Sequence, residues 1–506
     1  MTDHANGAPE LSVRQQRLVL ATVGLALMAV VSAVSGLMVA LPSIARDTGA
    51  SQTEMTWIVD AYTVVFAGLL LFVGALGDRY GRRLMLTLGL VVFGVAAAFG
   101  FFVTDPSQLI LARVAMGVGA AAIMPTTLSV ITTSFPETER PRAIGFWVGV
   151  AGGGAIIGLF VTALLLEWFS WSSFFALNVA LAAVALVGTR LFVPPSVDRE
   201  PPALDAVGGT LSLVAVAAFV FGVIEGPERG WDDPLTLGGL ILGIVAAIAF
   251  LAWEWRREQP LLDPRLFRNR GFSAGTLTIT VQFLSAFGFF FVALQYLQYV
   301  TERTPLEAAI AMLPMPLVLL PTARRAPHIA QRIGFRRTGP VGLAAMAAGF
   351  LVLSGLQVDS SYWHFLLGLV LFAFGMGFAG TPATTAITAS LPMSKQGVAS
   401  AVNDTSRELG SALGIAILGS LLNQAYRDGM VEAVVGLPAQ IADRVLGSVA
   451  FTAAPELASF GERGQQLAAA GRAAFVDGVS AAFIVAVLIL AAGAVLVALV
   501  APGREP

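Results

Sequence analysis

Long apolar runs alternate with short polar links along almost the whole chain. Fourteen apolar spans are predicted, at about 17–42, 55–76, 84–103, 107–132, 141–166, 172–194, 206–224, 235–255, 272–299, 306–323, 339–358, 362–390, 398–424 and 474–501. Each approaches or exceeds the length a helix needs to cross a bilayer. An even number of crossings puts both termini on one side. The polar links decide which side, because cytoplasmic loops concentrate Arg and Lys. With the N-terminus inside, 21 basic residues fall in cytoplasmic segments and 7 outside, while Arg113 and Arg407 stay within spans. Both termini are therefore expected in the cytoplasm of a bacterial cell, with the chain multi-pass in its inner (plasma) membrane.

Composition agrees. Of 506 residues, 56% are hydrophobic and 12% charged, about half the charged share of a soluble domain. The net charge of −2 gives no reason to expect nucleic acid. There is no Cys, hence no disulfide framework and no thiolate chemistry. His4, His328 and His364 are scattered, so neither a metal site nor a cofactor is expected. No Gly-x-x-x-x-Gly-Lys loop exists to hold a nucleotide, and no enzyme activity is expected. Arg so outnumbers the single Lys395 that a GC-rich bacterial genome is implied. Residues 1–16 are polar, and the first apolar run is too long for a cleavable signal.

One link stands out. Gly74-Ala75-Leu76-Gly77-Asp78-Arg79-Tyr80-Gly81-Arg82-Arg83 joins spans 2 and 3. Its glycines permit a tight turn between two helix ends, and its arginines mark the cytoplasmic side. The stretch resembles the signature between helices 2 and 3 of the major facilitator superfamily, Gly-x-Leu-x-Asp-Arg-x-Gly-Arg-Arg. A weaker copy, Ala330-Gln331-Arg332-Ile333-Gly334-Phe335-Arg336-Arg337, joins spans 10 and 11, with Gln331 where Asp78 stands in the first. Fourteen spans, with 7 and 8 inserted between two sets of six, resemble the superfamily's drug:proton antiporter branch. Trp57-Ile58-Val59-Asp60-Ala61-Tyr62, Arg113-x-x-x-Gly117-x-Gly119, Pro260–Asp263 and Val398–Gly410 extend the likeness from span 1 to span 14. It implies an all-α polytopic membrane protein of two six-helix bundles plus two extra helices. The expected layout is a cytoplasmic tail at 1–16, one bundle at 17–195, the extra pair at 205–255, and a second bundle at 271–501. The Pro-rich link Val193–Pro202 separates the first bundle from the pair, and an external loop covers about 425–473. Within that loop, Leu437–Val449 is amphipathic, and short helices or a solvated linker are equally expected.

Two departures bear on mechanism. Before Ala40-Leu41-Pro42, where the family often has an Asp and an Asn, this chain has Ala33 and Met38. In span 5 the antiporter signature Gly-Pro-x-x-Gly-Gly reads Gly158-Leu159-Phe160-Val161-Thr162-Ala163. Gly145, Gly149 and Gly153 still recur every four residues, which predicts one closely packed face.

Charges inside a bilayer are costly and face a cavity or a partner. Asp60 lies about five residues into span 2 from the outside, roughly 8 Å deep, and Arg113 lies at similar depth in span 4. A pair is feasible, with Asp60 either a proton site or a wet interfacial residue. Asp404, Arg407 and Glu408 share one face of span 13. They are expected either to share a proton or to lock that span against the Asp78 turn. Asp60, Arg113, Asp404 and Glu408 are thus the proton-coupling candidates. Gly74, Asp78, Arg79, Gly81, Arg82, Arg83 and Arg407 are the gating candidates. Trp57, Tyr62, Phe287, Phe291, Tyr296 and Gln298 are the substrate candidates, since aromatic walls suit hydrophobic and cationic molecules. Phe283 and Phe290 add to an aromatic span 9, for which lipid-facing packing is the alternative. Arg324 and Arg325 are expected to close span 10 at the cytoplasmic interface.

The resemblance implies a secondary active transporter that exports amphiphilic or cationic drugs and dyes in exchange for protons by alternating access. Export of a lipid or metabolite, and a coupling-deficient sensor or assembly partner, are the alternatives. Expected partners are the bilayer, a small amphiphile and protons; a monomer suffices. The topology is checkable: a reporter fused after Arg199 should read cytoplasmic, and one near Pro438 external. Equal labelling of both sites by an impermeant reagent would contradict the fourteen-span reading.

Overall fold

A computed structural model describes residues 12–136, 138–196, 204–391, 396–452, 457 and 460–503. Most of the tail, the middle of the Pro-rich link with Arg199, and Lys395 lie outside these described residues. Within them the chain is helical, with no strand. The helices are α1 (Val13–Thr48), α2 (Gln52–Tyr80), α3 (Arg82–Phe102), α4 (Pro106–Ser134), α5 (Arg140–Leu165) and α6 (Ser173–Phe192). An antiparallel pair follows, α7 (Ala206–Arg229) and α8 (Pro234–Arg256). The second set is α9 (Arg270–Gln295), α10 (Pro305–Ala311), α11 (Pro314–Ile333), α12 (Phe335–Leu353), α13 (Tyr362–Ala389) and α14 (Gln396–Met430). Two short helices, α15 (Ala439–Gly447) and α16 (Val449–Thr452), precede α17 (Glu462–Val500).

Thirteen helical segments are long and apolar enough to cross a membrane. The fourteenth expected span is α12, whose first turn carries Arg336 and Arg337 and lowers its mean hydropathy. It packs between α13 and α17 and buries Leu343, Met346 and Phe350. Span 10 is broken: α10 and α11 meet at Pro314, which cannot donate a helical hydrogen bond. Arg324 and Arg325 do not end that span, because α11 runs on to Ile333. The expected loop at 425–473 is shorter, because α14 continues to Met430 and α17 starts at Glu462.

The six helices α1–α6 pack as one bundle, with α1 against α5 and α6, α4 against α2 and α3, and α3 against α6. The second bundle sets α9 against α13, α14 and α17, with α11 on α13 and α12 between α13 and α17. Three local devices recur in both. Both α2 and α10 start with a capping box, Ser51 with Glu54 and Thr304 with Glu307, each cap worth about 1 kcal/mol. Gly81 (φ 108°) ends α2 and Gly334 (φ 85°) ends α11, both in a region that favours glycine. An arginine just past each turn then caps the last helix of its own bundle. Arg83 donates to the Arg190 carbonyl at 2.5 Å, and Arg336 donates to the Ala498 carbonyl at 3.0 Å. Arg270 adds bonds to the Leu499 and Val500 carbonyls, both 2.9 Å. Cationic donors at a helix C-terminus satisfy orphan carbonyls and complement the dipole. The sequence repeat is therefore a structural one. These arginines also define a basic end of the molecule, opposite a far end.

Glycines set the helix contacts. A side chain at Gly414 would collide with the Leu284 carbonyl of α9, and one at Gly158 with Ser32 of α1. The expected packing of Gly145, Gly149 and Gly153 does not occur: a Cβ at any of them meets nothing within 4 Å. Spacing alone predicts close packing, but that face of α5 borders a cleft. Gly414→Ala should accordingly cost about 1–3 kcal/mol and lower the thermal midpoint in detergent. Gly149→Ala should leave it unchanged or raise it, gaining up to about 1 kcal/mol from helix propensity. Equal losses in both variants would contradict these placements.

Candidate functional site

A cavity of about 320 Å³ lies between the two bundles. Val30, Val34 and Met38 of α1 and Phe66 of α2 form part of one wall, joined by Gly152, Ile156 and Phe160 of α5. The other wall is aromatic and Met-rich, with Phe283, Phe287 and Phe290 of α9, Met315 at the start of α11, and Met376 of α13. Phe283 and Phe287 stack, with ring centroids 6.0 Å apart. Arg407 and Glu408 of α14 are the charged residues of this otherwise largely apolar lining.

The two differ in how they are satisfied. Arg407 lies 3.9 Å from Asp404 and holds its guanidinium 4.6 Å from the Phe283 ring centre. Half-buried Glu408 has no hydrogen-bond or ion-pair partner among the described residues. One helical turn past Asp404 and on the same face of α14, Glu408 lines the cavity beside Arg407. Asp404 itself is buried beside them. A carboxylate presented to an apolar space attracts a cation or a proton.

Asp60 and Arg113 do not form the pair that their similar depth made feasible, and the wet interfacial alternative for Asp60 does not hold. Both are fully buried rather than wet. Asp60 accepts a short hydrogen bond from Thr63, and its second oxygen has no partner. Arg113 donates Nε–H to the Ile58 carbonyl at 2.9 Å and lies 4.2 Å from the centre of the Tyr62 ring. No ion pair joins Asp60 to Arg113; the Ile58 carbonyl takes Nε–H and the Tyr62 ring lies against the guanidinium, while both terminal nitrogens have no hydrogen-bond partner among the described residues. Tyr62 sits within electrostatic reach of Arg113 and of Glu408 across the bundle boundary.

Of the six substrate candidates, Phe287 lies in the cavity wall. The expectation that the other five share it is corrected. Trp57 donates to Glu225 of α7 at 2.8 Å. Tyr62 donates to the Val30 carbonyl at 3.0 Å, and Tyr296 to the Gln357 carbonyl at 3.0 Å. Phe291 is buried against Gly419 of α14. Gln298 donates to the Val39 carbonyl at 3.1 Å. Each polar group found a fixed partner, which helical position along the chain does not reveal. Phe283 and Phe290, read from the sequence as an aromatic surface with a lipid-facing alternative, do line the cavity.

The last bond belongs to a seal at the far end. Gln298 links the second bundle to α1, Asn423 of α14 donates to Thr53 of α2 at 3.0 Å, and the Tyr299 hydroxyl reaches the Met55 sulfur at 3.7 Å. The side-chain amide oxygens of Gln298 and Asn423 stay buried without hydrogen-bond partners among the described residues. The seal is thus incompletely satisfied. Around it, Tyr426 donates to the Val445 carbonyl of α15 at 2.8 Å, so the amphipathic segment forms helices that cover this end. At the basic end, Asp78 pairs with Arg82 at 3.1 Å, next to Gly74, Arg79 and Gly81. Asp78 is expected to meet the start of span 13, which begins here as α14 at Gln396.

A family model described as Major Facilitator Superfamily matches residues 23–415. The chain is 33% identical over 501 residues to the Multidrug efflux pump LfrA of Mycolicibacterium smegmatis, covering 98% of this chain and 99% of that protein. It is 34% identical to the Puromycin resistance protein pur8 of Streptomyces alboniger, covering 76% of this chain and 77% of that one. It is 33% identical to the Methyl viologen resistance protein SmvA of Salmonella typhimurium, covering 81% and 83%. Among solved structures, a bacterial homolog of the human lysosomal transporter Spinster superposes with a TM-score of 0.67 at 16% identity, covering 97% of this chain and 98% of that one. Two glycine-turn bundles, an inserted helix pair and a central cavity are thus those of a transporter rather than an enzyme, and the chain belongs to the Major Facilitator Superfamily.

Proposed function

We propose that this protein exports amphiphilic organic cations in exchange for protons, and that Glu408 binds the two in turn. The observation that carries this reading is the unpartnered Glu408 carboxylate in an apolar, aromatic cavity between two bundles. An organic cation would place its charge at Glu408 and its apolar body against Phe283, Phe287 and Phe290. A proton on Glu408 would remove the attraction. The relatives whose names include methyl viologen resistance and multidrug efflux support this cargo class.

The same geometry supports alternating access. We assign the basic end to the cytoplasm, by its arginines. The far end is closed by Gln298, Asn423 and Tyr299, whose bonds leave buried acceptors unsatisfied. Such a closure is only modestly favourable, so the binding of a proton or a cargo suffices to bias it. Arg113, held under Tyr62, carries the state of Glu408 toward α4, and Asp60 is a second proton site reached only when α2 moves. Asp78 and Arg82 steady the α2–α3 turn through that change. Facilitated movement of a neutral lipid or metabolite would need no charge at Glu408.

Glu408→Gln is the test. Proton-driven efflux of a cationic dye should fall by roughly tenfold or more, a typical coupling free energy, at normal expression and far-ultraviolet dichroism. Efflux that persists undiminished and still collapses with a protonophore would place coupling elsewhere. Dye movement equal in both proteins and indifferent to the protonophore would favour uncoupled exchange.

A further inference from the structure

The two bundles meet along two seams, and the structure treats them unequally. One seam lies between α2 and α14. There Val64 of α2, Val220, Val223 and Ile224 of α7, and Ala412 and Ala416 of α14 form one buried cluster. Toward the far end, Trp57 bonds Glu225 and Ser420 of α14 donates to the Val223 carbonyl at 2.7 Å. Toward the basic end, Gly68 of α2 touches Leu213 of α7, and Gly209 of α7 touches Phe72 of α2. Helix α7 therefore runs along this seam and bonds both sides of it. Its partner α8 holds it there, with Trp253 donating to Asp205 at 2.9 Å.

The other seam lies between α5 and α11. Its far end is joined where α10 packs on α5. Beyond that, Gly145, Gly149, Gly152 and Gly153 face open space. Gly145, Gly149 and Gly152 continue, at helical spacing, the face on which Ile156 lines the cavity. Of α11, Met315 and Ala326 are the buried residues, while Leu317 and Leu320 are largely exposed. Apolar side chains exposed at membrane depth face lipid tails.

The geometry points to one-sided entry: the inserted pair α7–α8 closes the α2–α14 seam, and amphiphilic organic cations enter the cavity from the inner leaflet between α5 and α11. The cargo class rests on the reading of Glu408 given above; the route does not. An amphiphile partitions into the leaflet with its charge near the headgroups. The small residues of α5 leave room for its body, and the cavity beyond holds the only wall charge that attracts a cation. Nothing comparable is available on the other side, where α7 fills the space.

The chain lacks cysteine, so single cysteines report accessibility directly. Gly149→Cys and Val64→Cys would be introduced separately in inside-out vesicles and treated with a membrane-dissolved pyrene maleimide or a charged impermeant maleimide. The lipid-phase reagent should label Gly149→Cys at least about tenfold faster than Val64→Cys, since a packed seam reacts only after local opening. A cationic dye should slow labelling of Gly149→Cys. As a second measurement, Gly149→Trp should reduce uptake of a membrane-partitioned dye into those vesicles severalfold. Equal lipid-phase labelling at both positions would overturn the seal. Labelling of Gly149→Cys by the impermeant reagent alone would overturn entry from the leaflet. Because labelling needs no proton gradient, these results stand whether or not Glu408→Gln abolishes coupling.

Discussion

A charge in hydrocarbon must be answered by a partner, and the interior of this protein is arranged by how each charge is answered. Arg113 has a backbone carbonyl and the face of Tyr62. Asp60 has the Thr63 hydroxyl. Arg407 has Asp404 and the face of Phe283. Glu408 has no hydrogen bond or ion pair among the described residues and meets a largely apolar cavity, with Arg407 beside it. An isolated ionised carboxylate there would be expensive. A proton or a cationic guest would relieve that cost, and on the reading proposed above the exclusive choice between them links two fluxes.

The scaffold permits that choice to matter. Within each bundle, glycine contacts such as Gly414 on Leu284 and Gly158 on Ser32 bring helix backbones close together. Between bundles the far-end hydrogen bonds are few, and they leave buried acceptors over. The stiff joints are therefore inside the bundles and the soft joint is between them. The α7–α8 pair spans the α2–α14 side of the boundary between bundles, so the proposed rocking would open the molecule toward α5 and α11.

Much of this was legible in the sequence. Hydropathy gave the helices, because a bilayer demands long apolar runs. The two glycine–arginine turns gave the repeat, and the structure explains why arginine recurs: Arg83 and Arg336 cap the last helix of their own bundles. The site was less legible. Depth along a helix put Asp60 beside Arg113, but azimuth decides contact, and both side chains turned to local partners. Gln298 and Tyr296 read as cavity residues because they are polar or aromatic, yet each satisfies a backbone carbonyl. Glycine spacing on α5 read as packing, whereas the partner helix stands off. Arg407 and Glu408 adjoin in sequence and both line the cavity, and only the contacts show that Arg407 has an ion pair and a ring while Glu408 has neither.

The most direct test is proton release on binding. Purified protein in a weakly buffered detergent solution at neutral pH would be mixed with a saturating cationic dye while a pH indicator is followed. If Glu408 is the shared site, dye binding should release protons, up to about one per protein, and the Glu408→Gln protein should release none. Tight dye binding to both proteins with the same proton release would contradict the account.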